Sequence, residues 1–335
     1  MNSKLFKIII ALSALLLCMP VVLAQKEKVK EKEKEQEEQR EQEQEARQEN
    51  SVAADPAVVI TMCLESGSIT VTGGDRREVR ASAQDGKVIL RRKENPNAAT
   101  PATRLEVIVL DSDKQSPATF GECRGSSDLE LEVPRGATVY VKTRDGDIDV
   151  SDITEVRAET SSGSIMVQHV TREVEATSID GDISVEESSG RIRLHTFRGS
   201  IETINAKMVE PNDFIDVRTT SGDVRLEDVE QPHVEVSTIS GEISLSGPLA
   251  RGGFYDLKTI SSDITFNLPD TVTFQLTAKV SQGGEVVTDF PLRYTGGPSA
   301  AAIAAGKITG TYGTGAAPST INLVSFSGTL RLRKK

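Results

Sequence analysis

Val156-Arg-Ala-Glu-Thr160-Ser-Ser-Gly163-Ser-Ile165-Met-Val167 is one copy of a phrase that recurs through residues 139–266. It reads apolar-x-apolar-x-Thr-x-x-Gly-x-Ile-x-Val. It returns as Val174 to Val185 around Gly181, and as Ile192, Leu194 and Thr196 with Gly199 and Ile201. Further copies hold Ile215, Val217, Thr219, Gly222 and Val224, then Val234, Val236, Thr238, Gly241 and Ile243. A degenerate copy, Tyr255-Asp-Leu257-Lys-Thr259, carries Ser262 in place of the glycine. The marker falls at 146, 163, 181, 199, 222, 241 and 262, so each repeat spans 17 to 23 residues. Self-similarity of this period signals stacked structural repeats.

Within the phrase the apolar period is two, which specifies strand rather than helix. Ile165 and Val167 face one side while Ser164 and Met166 face the other. Two strands joined at a glycine corner make one coil, which buries its apolar face only against coils above and below. The corner glycine is expected to supply a positive φ, which costs other residues roughly 1–2 kcal/mol. The expected fold is all-β: a single-stranded, parallel-β-helix-like solenoid of 17–23-residue coils behind a charged spacer.

Outward from the repeats, residues 1–24 read as a secretory signal. Lys4 and Lys7 form the basic start, Ile8 to Leu17 the apolar run, and Val22-Leu23-Ala24 the cleavage site. An uncleaved anchor would need about 20 apolar residues, and lipidation at Cys18 would want a small residue where Leu17 stands. Residues 25–57 form a Lys/Glu/Gln spacer, disordered or partly helical, with no heptad of apolar residues. The solenoid is placed at 58–335. Ile60 to Val71 reads as its first coil, residues 78–133 as a less regular β cap, and Ile321 to Leu332 as a coil that ends the chain. Arg331, Arg333, Lys334 and Lys335 are expected to protect that open end.

Val133-Pro134 ahead of Gly136, the Thr-x-x-Gly-Asp-Ile runs and the closing Ser327-Gly328-Thr329-Leu330-Arg331-Leu332 resemble the bacterial putative-adhesin family, also called toast-rack domains. The likeness covers residues 58–335, and the charged spacer lies outside the family pattern. The resemblance implies an extracytoplasmic, right-handed β-solenoid without established catalysis. Some relatives occur in cell-envelope stress systems.

Composition and spacing narrow the chemistry. The chain is 335 residues long with net charge −11 and nothing basic clustered in the repeats, which argues against a nucleic-acid surface. His169, His195 and His233 fall in different coils at different places in the phrase, so they make neither a triad nor a metal cluster. No nucleophile elbow, phosphate loop or HExxH spacing is present. No catalytic residue, cofactor or metal is therefore assigned. Asp147, Asp182, Asp223, Glu242 and Asp263 form an outward column interrupted by Ser164 and Ser200. Calcium coordination is weighed there against hydrogen bonds to corner amides, and the second is the reading. The column Arg157, Glu175, Arg193, Asp216 alternates in sign, a register device. Sugar platforms favour exposed aromatics, whereas this chain has no Trp and four scattered Tyr.

Two cysteines lie beyond the signal, Cys63 and Cys123, and export permits a disulfide between them. Cys63 faces outward from its strand and Cys123 sits in an irregular turn, so the sequence leaves the bond open. The corner that joins one coil to the next absorbs the insertions: seven residues after Val167 and Val185, twelve before Ile215, ten before Tyr255. Insertions gathered on one edge point to a binding face, with Lys207, Met208, Phe214, Leu249, Arg251 and Phe290 as the expected contacts. The implied function is a non-catalytic extracytoplasmic interaction or sensing module of the bacterial envelope, periplasmic or at the cell surface. Its partner would be an envelope protein or surface ligand, with no membrane span after signal cleavage. The alternative is a surface adhesin for glycan or another cell, and a polysaccharide-active enzyme is a distant third.

Overall fold

The computed structural model describes residues 50–94, 100–110, 123–294, 306–315 and 317–335. The signal and most of the spacer lie outside the described residues. All regular structure there is strand. The N-terminal region holds β1 (Asn50–Ser66), β2 (Ile69–Gly74), β3 (Glu78–Ala83), β4 (Lys87–Arg92), β5 (Ala102–Leu110) and β6 (Leu129–Pro134). β1 thus opens upstream of residue 58.

Seven two-strand coils follow. They are β7–β8 (Thr138–Asp145, Ile148–Ser151), β9–β10 (Glu155–Ser162, Ile165–Gln168) and β11–β12 (Glu173–Asp180, Ile183–Glu186). Next come β13–β14 (Arg191–Arg198, Ile201–Ile204) and β15–β16 (Phe214–Ser221, Val224–Glu227). β17–β18 (His233–Ser237, Ile243–Ser246) and β19–β20 (Phe254–Thr259, Ile264–Leu268) complete the series. The chain ends with β21 (Phe274–Val280), β22 (Val286–Thr288), β23 (Arg293–Tyr294), β24 (Lys307–Tyr312), β25 (Ser319–Ser325) and β26 (Leu330–Lys334).

The 26 strands join into one sheet folded into two ladders. Odd-numbered strands from β7 to β19 pair in parallel along one ladder, and even-numbered strands from β8 to β20 along the other. Register keeps like with like: Ile165 lies between Ile148 and Ile183, Val174 between Val156 and Ile192. These columns are fully buried and form a continuous core of Ile, Val and Leu. The period-two pattern of the phrase thus becomes a β-solenoid, because each coil covers the apolar face its neighbours cannot cover alone.

Both ends depart from the expected order. β1 pairs with β7 on one side and with β5 on the other, and β2 lies between β8 and β6. The N-terminal coil is therefore inside the stack, under a cap whose β3 and β4 run antiparallel to β6 and β5. The C-terminal coil is inside too. β25 lies between β19 and β21, and β26 between β20 and β22. The expectation that β26 closes the stack as a charged open end is corrected: β22 is the outer neighbour, while β24 and β23 pair antiparallel beyond β21. A disulfide joins Cys63 of β1 to Cys123, Cα atoms 4.5 Å apart, linking that inner coil to the segment between β5 and β6.

The Thr-x-x-Gly corner has a tighter cause than the one expected. Thr160, Ser178, Thr196 and Thr219 are buried, and each hydroxyl donates to the carbonyl of the preceding coil's marker glycine at 3.0–3.1 Å. That carbonyl occupies the space where a Cβ on the next glycine would stand, as at Gly181 over Gly163. Gly163 also has φ +141°, but Gly181 is required by close approach alone. At the opposite corner Asp152, His169, Glu187, Asn205 and Asp228 stack with φ between 46° and 59°. Asn and Asp tolerate this left-handed region best.

Candidate functional site

The acidic column is built on backbone amides. Asp147 accepts from the Ser164 amide at 2.8 Å, Asp182 from Ser200 at 2.7 Å, Asp223 from Glu242 at 2.8 Å and Asp263 from Thr329 at 2.7 Å. Asp128 does the same for Ser68 at 2.9 Å. Down the stack, aspartate alternates with a residue that lends its amide. The serines are thus partners of the aspartates rather than gaps in a calcium ladder. No group of three or more metal-ligating side chains occurs among the described residues. The three histidines are far apart in role. His169 lies 3.2 Å from Glu187 in the left-handed corner, His195 points outward from β13, and His233 stacks on Phe254.

The variable corner is more substantial. Residues 205–213 form a tied loop: the buried carboxylate of Asp213 accepts from the amides of Val209 and Glu210 at 2.8 and 2.7 Å. The Gln231 side-chain amide, fully buried, donates to the carbonyls of Gly190 and Lys207, each at 3.1 Å. Lys207, Met208 and Val209 project from this base, and Val209 is 60% exposed. Residues 247–253 are tied in a similar way. The Tyr255 hydroxyl accepts from the Ala250 amide at 2.8 Å, and the Ser319 hydroxyl donates to the Ala250 carbonyl at 2.7 Å. Burial raises the Tyr255 pKa, partly opposed by the Ala250 amide, so this anchor stays protonated. Arg251 is exposed, while Leu249 is half-buried against the core.

Between the two loops runs a column of rings at the start of the odd-numbered strands. Phe214 pairs in register with His233, and His233 with Phe254. The His233 and Phe254 rings stack 5.2 Å apart at 17°, and the Arg193 guanidinium lies 5.3 Å over Phe214. Each of the three rings therefore spends one face on a neighbour. Sequence reasoning reached Phe214 but missed His233 and Phe254, which gain meaning only once the coils are in register.

Phe290 is corrected as a partner contact. It is 2% exposed, packed edge-on against Phe274 and Tyr312 at 5.3 and 4.8 Å. The Asp289-Phe290-Pro291 stretch looked like loop, but it closes the far end of the core under β21 and β24. An open cleft of about 390 Å³ beside β2, β3 and β6 carries Arg76, Arg80, Glu78 and Glu132. Its charges pair with each other, Arg76 with Glu132 at 3.0 Å and Arg80 with Glu78 at 2.8 Å, so it offers a ligand little free charge. No helix among the described residues is long and apolar enough to cross a membrane.

A search of curated proteins returns no match. Among solved structures, the chain is similar to a putative cell adhesion protein from Clostridium sporogenes, with 10% identity and TM-score 0.23 over 86% of this chain and 100% of that one. It is also similar to a putative adhesin from Parabacteroides distasonis, with 10% identity and TM-score 0.35 over 85% and 96%. A putative adhesin from Parabacteroides merdae gives 9% identity and TM-score 0.31 over 85% and 95%. The family model described as Toastrack DUF4097 matches residues 58–293, well over half of the chain, with the stacked coils at its centre. The chain belongs to the Toastrack family.

Proposed function

We propose that the protein is a non-catalytic interaction module of the bacterial envelope, periplasmic or at the cell surface, that docks a protein partner along its variable corner. On this reading residues 1–24 are a cleaved signal and the charged stretch that follows, up to the start of β1 at Asn50, is a spacer. The observation that carries the proposal is the pair of tied loops, 205–213 and 247–253, flanking the Phe214–His233–Phe254 column. Loops without a role tolerate looseness, whereas Asp213 and Tyr255 hold these two by buried hydrogen bonds. Lys207, Met208, Phe214 and Arg251 are the contacts, with Leu249 beneath them. A glycan platform fits less well, because a neighbour already takes one face of each ring.

The test is photo-crosslinking in cells from Met208 and Arg251, with the outward Met166 as control. Discrete adducts from the first two sites, lost when both loops are shortened to a seven-residue connection, support the proposal. Equal adducts from Met166, or adducts that survive shortening in a folded chain, overturn it. Glycan-array binding that survives the same shortening would favour the adhesin reading.

A further inference from the structure

Residues 319–335 fill a slot in the solenoid. β25 runs in parallel between β19 and β21, and β26 between β20 and β22, so this coil is paired along all four of its edges. Its Ile321, Leu323, Leu330 and Leu332 are fully buried. The slot is selective. A Cβ at Gly328 would overlap the Ser262 carbonyl, and the Gly328 carbonyl stands where a Cβ on Gly284 would be. The Ser325 hydroxyl donates to the same Ser262 carbonyl at 3.1 Å. Charge adds to shape, because residues 317–335 hold Arg331, Arg333, Lys334 and Lys335 and no Asp or Glu. Arg331 pairs with Asp263, Lys334 with Asp270 at 3.0 Å and Lys335 with Asp228 at 3.9 Å. The Lys334 amide also donates to Asp289 at 3.3 Å. All four carboxylates lie outside the coil, so each of these contacts runs between the coil and its slot.

The coil is tethered with length to spare. Tyr312 at the end of β24 and Ser319 at the start of β25 lie on either side of Phe274. The connection 313–318 therefore steps over one strand, roughly 10 Å, whereas six residues can extend over roughly 20 Å. It is also strained: Ala317 has φ 59°, a conformation that glycine adopts readily and alanine does not. Strain in a hinge favours exchange of the element it carries, because the open hinge relaxes while the element makes the same contacts in its new place. The matching coil of a second copy meets the slot's demands of shape, glycine and charge by identity. We propose that this coil is exchangeable: two copies insert β25 and β26 into each other's slot, with Ala317 in the hinge, and form a reciprocal dimer. Both ladders must open before the coil leaves, so exchange is slow and the dimer persists once formed.

Two substitutions in the full chain, in a Cys18→Ser background, test this: Lys258→Cys and Val324→Cys. The first position is exposed and the second half-buried, and they lie in register across β19 and β25. Placed together in one chain at micromolar concentration, they should be joined within that chain by a short bis-maleimide, which shows that the coil is seated. The two single variants are then mixed at near-millimolar concentration, carried through mild urea and returned to buffer. Exchange brings position 258 of one copy beside position 324 of the other, so the reagent should yield a mixed covalent dimer. Using Met166→Cys in place of Val324→Cys should abolish that product. Ala317→Gly relieves the hinge and should lower the yield at least about threefold. No mixed dimer from chains whose double variant joins internally, an equal yield with Met166→Cys, or a yield that Ala317→Gly leaves unchanged overturns the proposal.

Discussion

Thr196 and Thr203 are fully buried in the same coil, and their hydroxyls have opposite fates. Thr196 donates to the Gly181 carbonyl at 3.0 Å. Thr203 stands in register between Val185 and Leu226 with no partner for its hydroxyl among the described residues. Removing a satisfied buried hydroxyl leaves its partner unpaired, whereas replacing an unsatisfied one by a methyl group removes a desolvation cost. Thr196→Val should therefore lose about 1–3 kcal/mol and Thr203→Val should gain about 1 kcal/mol. Urea unfolding of the two variants checks the sign of each.

Gly181 and Gly283 separate two uses of glycine. A Cβ at Gly181 meets the Gly163 carbonyl, whereas Gly283 has φ +69° with nothing within 4 Å. Gly181→Ala forces two coils apart and should cost about 2–3 kcal/mol or more. Gly283→Ala should cost only the left-handed penalty of about 1–2 kcal/mol. Paired thermal melts resolve the difference.

Glu187 holds φ 46° in a column whose other members are Asp152, His169, Asn205 and Asp228. Glutamate lacks the short side chain that eases this conformation. Glu187→Asn is expected to raise stability by a few tenths to about 1 kcal/mol, read as an upward shift in melting temperature. A drop in melting temperature would show that the Glu187–His169 contact outweighs the backbone gain.

The Arg331 side chain hydrogen-bonds Asp263 and, with the Thr329 amide, holds its carboxyl below the ordinary aspartate range. The folded pKa is depressed, so the contribution is present above the unfolded value of about 3.9 and is lost as pH falls through the folded one. Asp263→Asn should be less stable than wild type near pH 6, and the gap should narrow as pH falls below the unfolded value of about 3.9. Hydrogen exchange of the β26 amides against pH follows it, and a pH-independent gap would count against the linkage.

Much of this fold is legible in the phrase itself. The alternation Ile165, Val167 and the Thr160–Gly163 spacing specify strand, face and corner, because one-residue slips would expose every core side chain. The order of coils at the two ends is not legible. Ile60 to Val71 and Ile321 to Leu332 are sound copies of the phrase, but a copy says only that a coil forms, not between which neighbours it lies. Phe290 misled for a related reason: a single aromatic between Asp289 and Pro291 has no period, and only contact with Phe274 and Tyr312 explains it. Phe214 was reachable from the insertion before it. His233 and Phe254 needed register.

A polypeptide emerges from its N-terminus, and here that direction conflicts with the geometry. β21 and β22 are made before β25 and β26, yet they belong outside them. Until residues 319–335 arrive, β20 and β22 have a gap where β26 should lie, and Phe266 lacks its neighbour Leu332. The solenoid therefore cannot be zipped up in the order of its synthesis. Its last coil acts as a keystone, so a ribosome that stops a few residues short leaves two unfinished edges inside the stack rather than one frayed end.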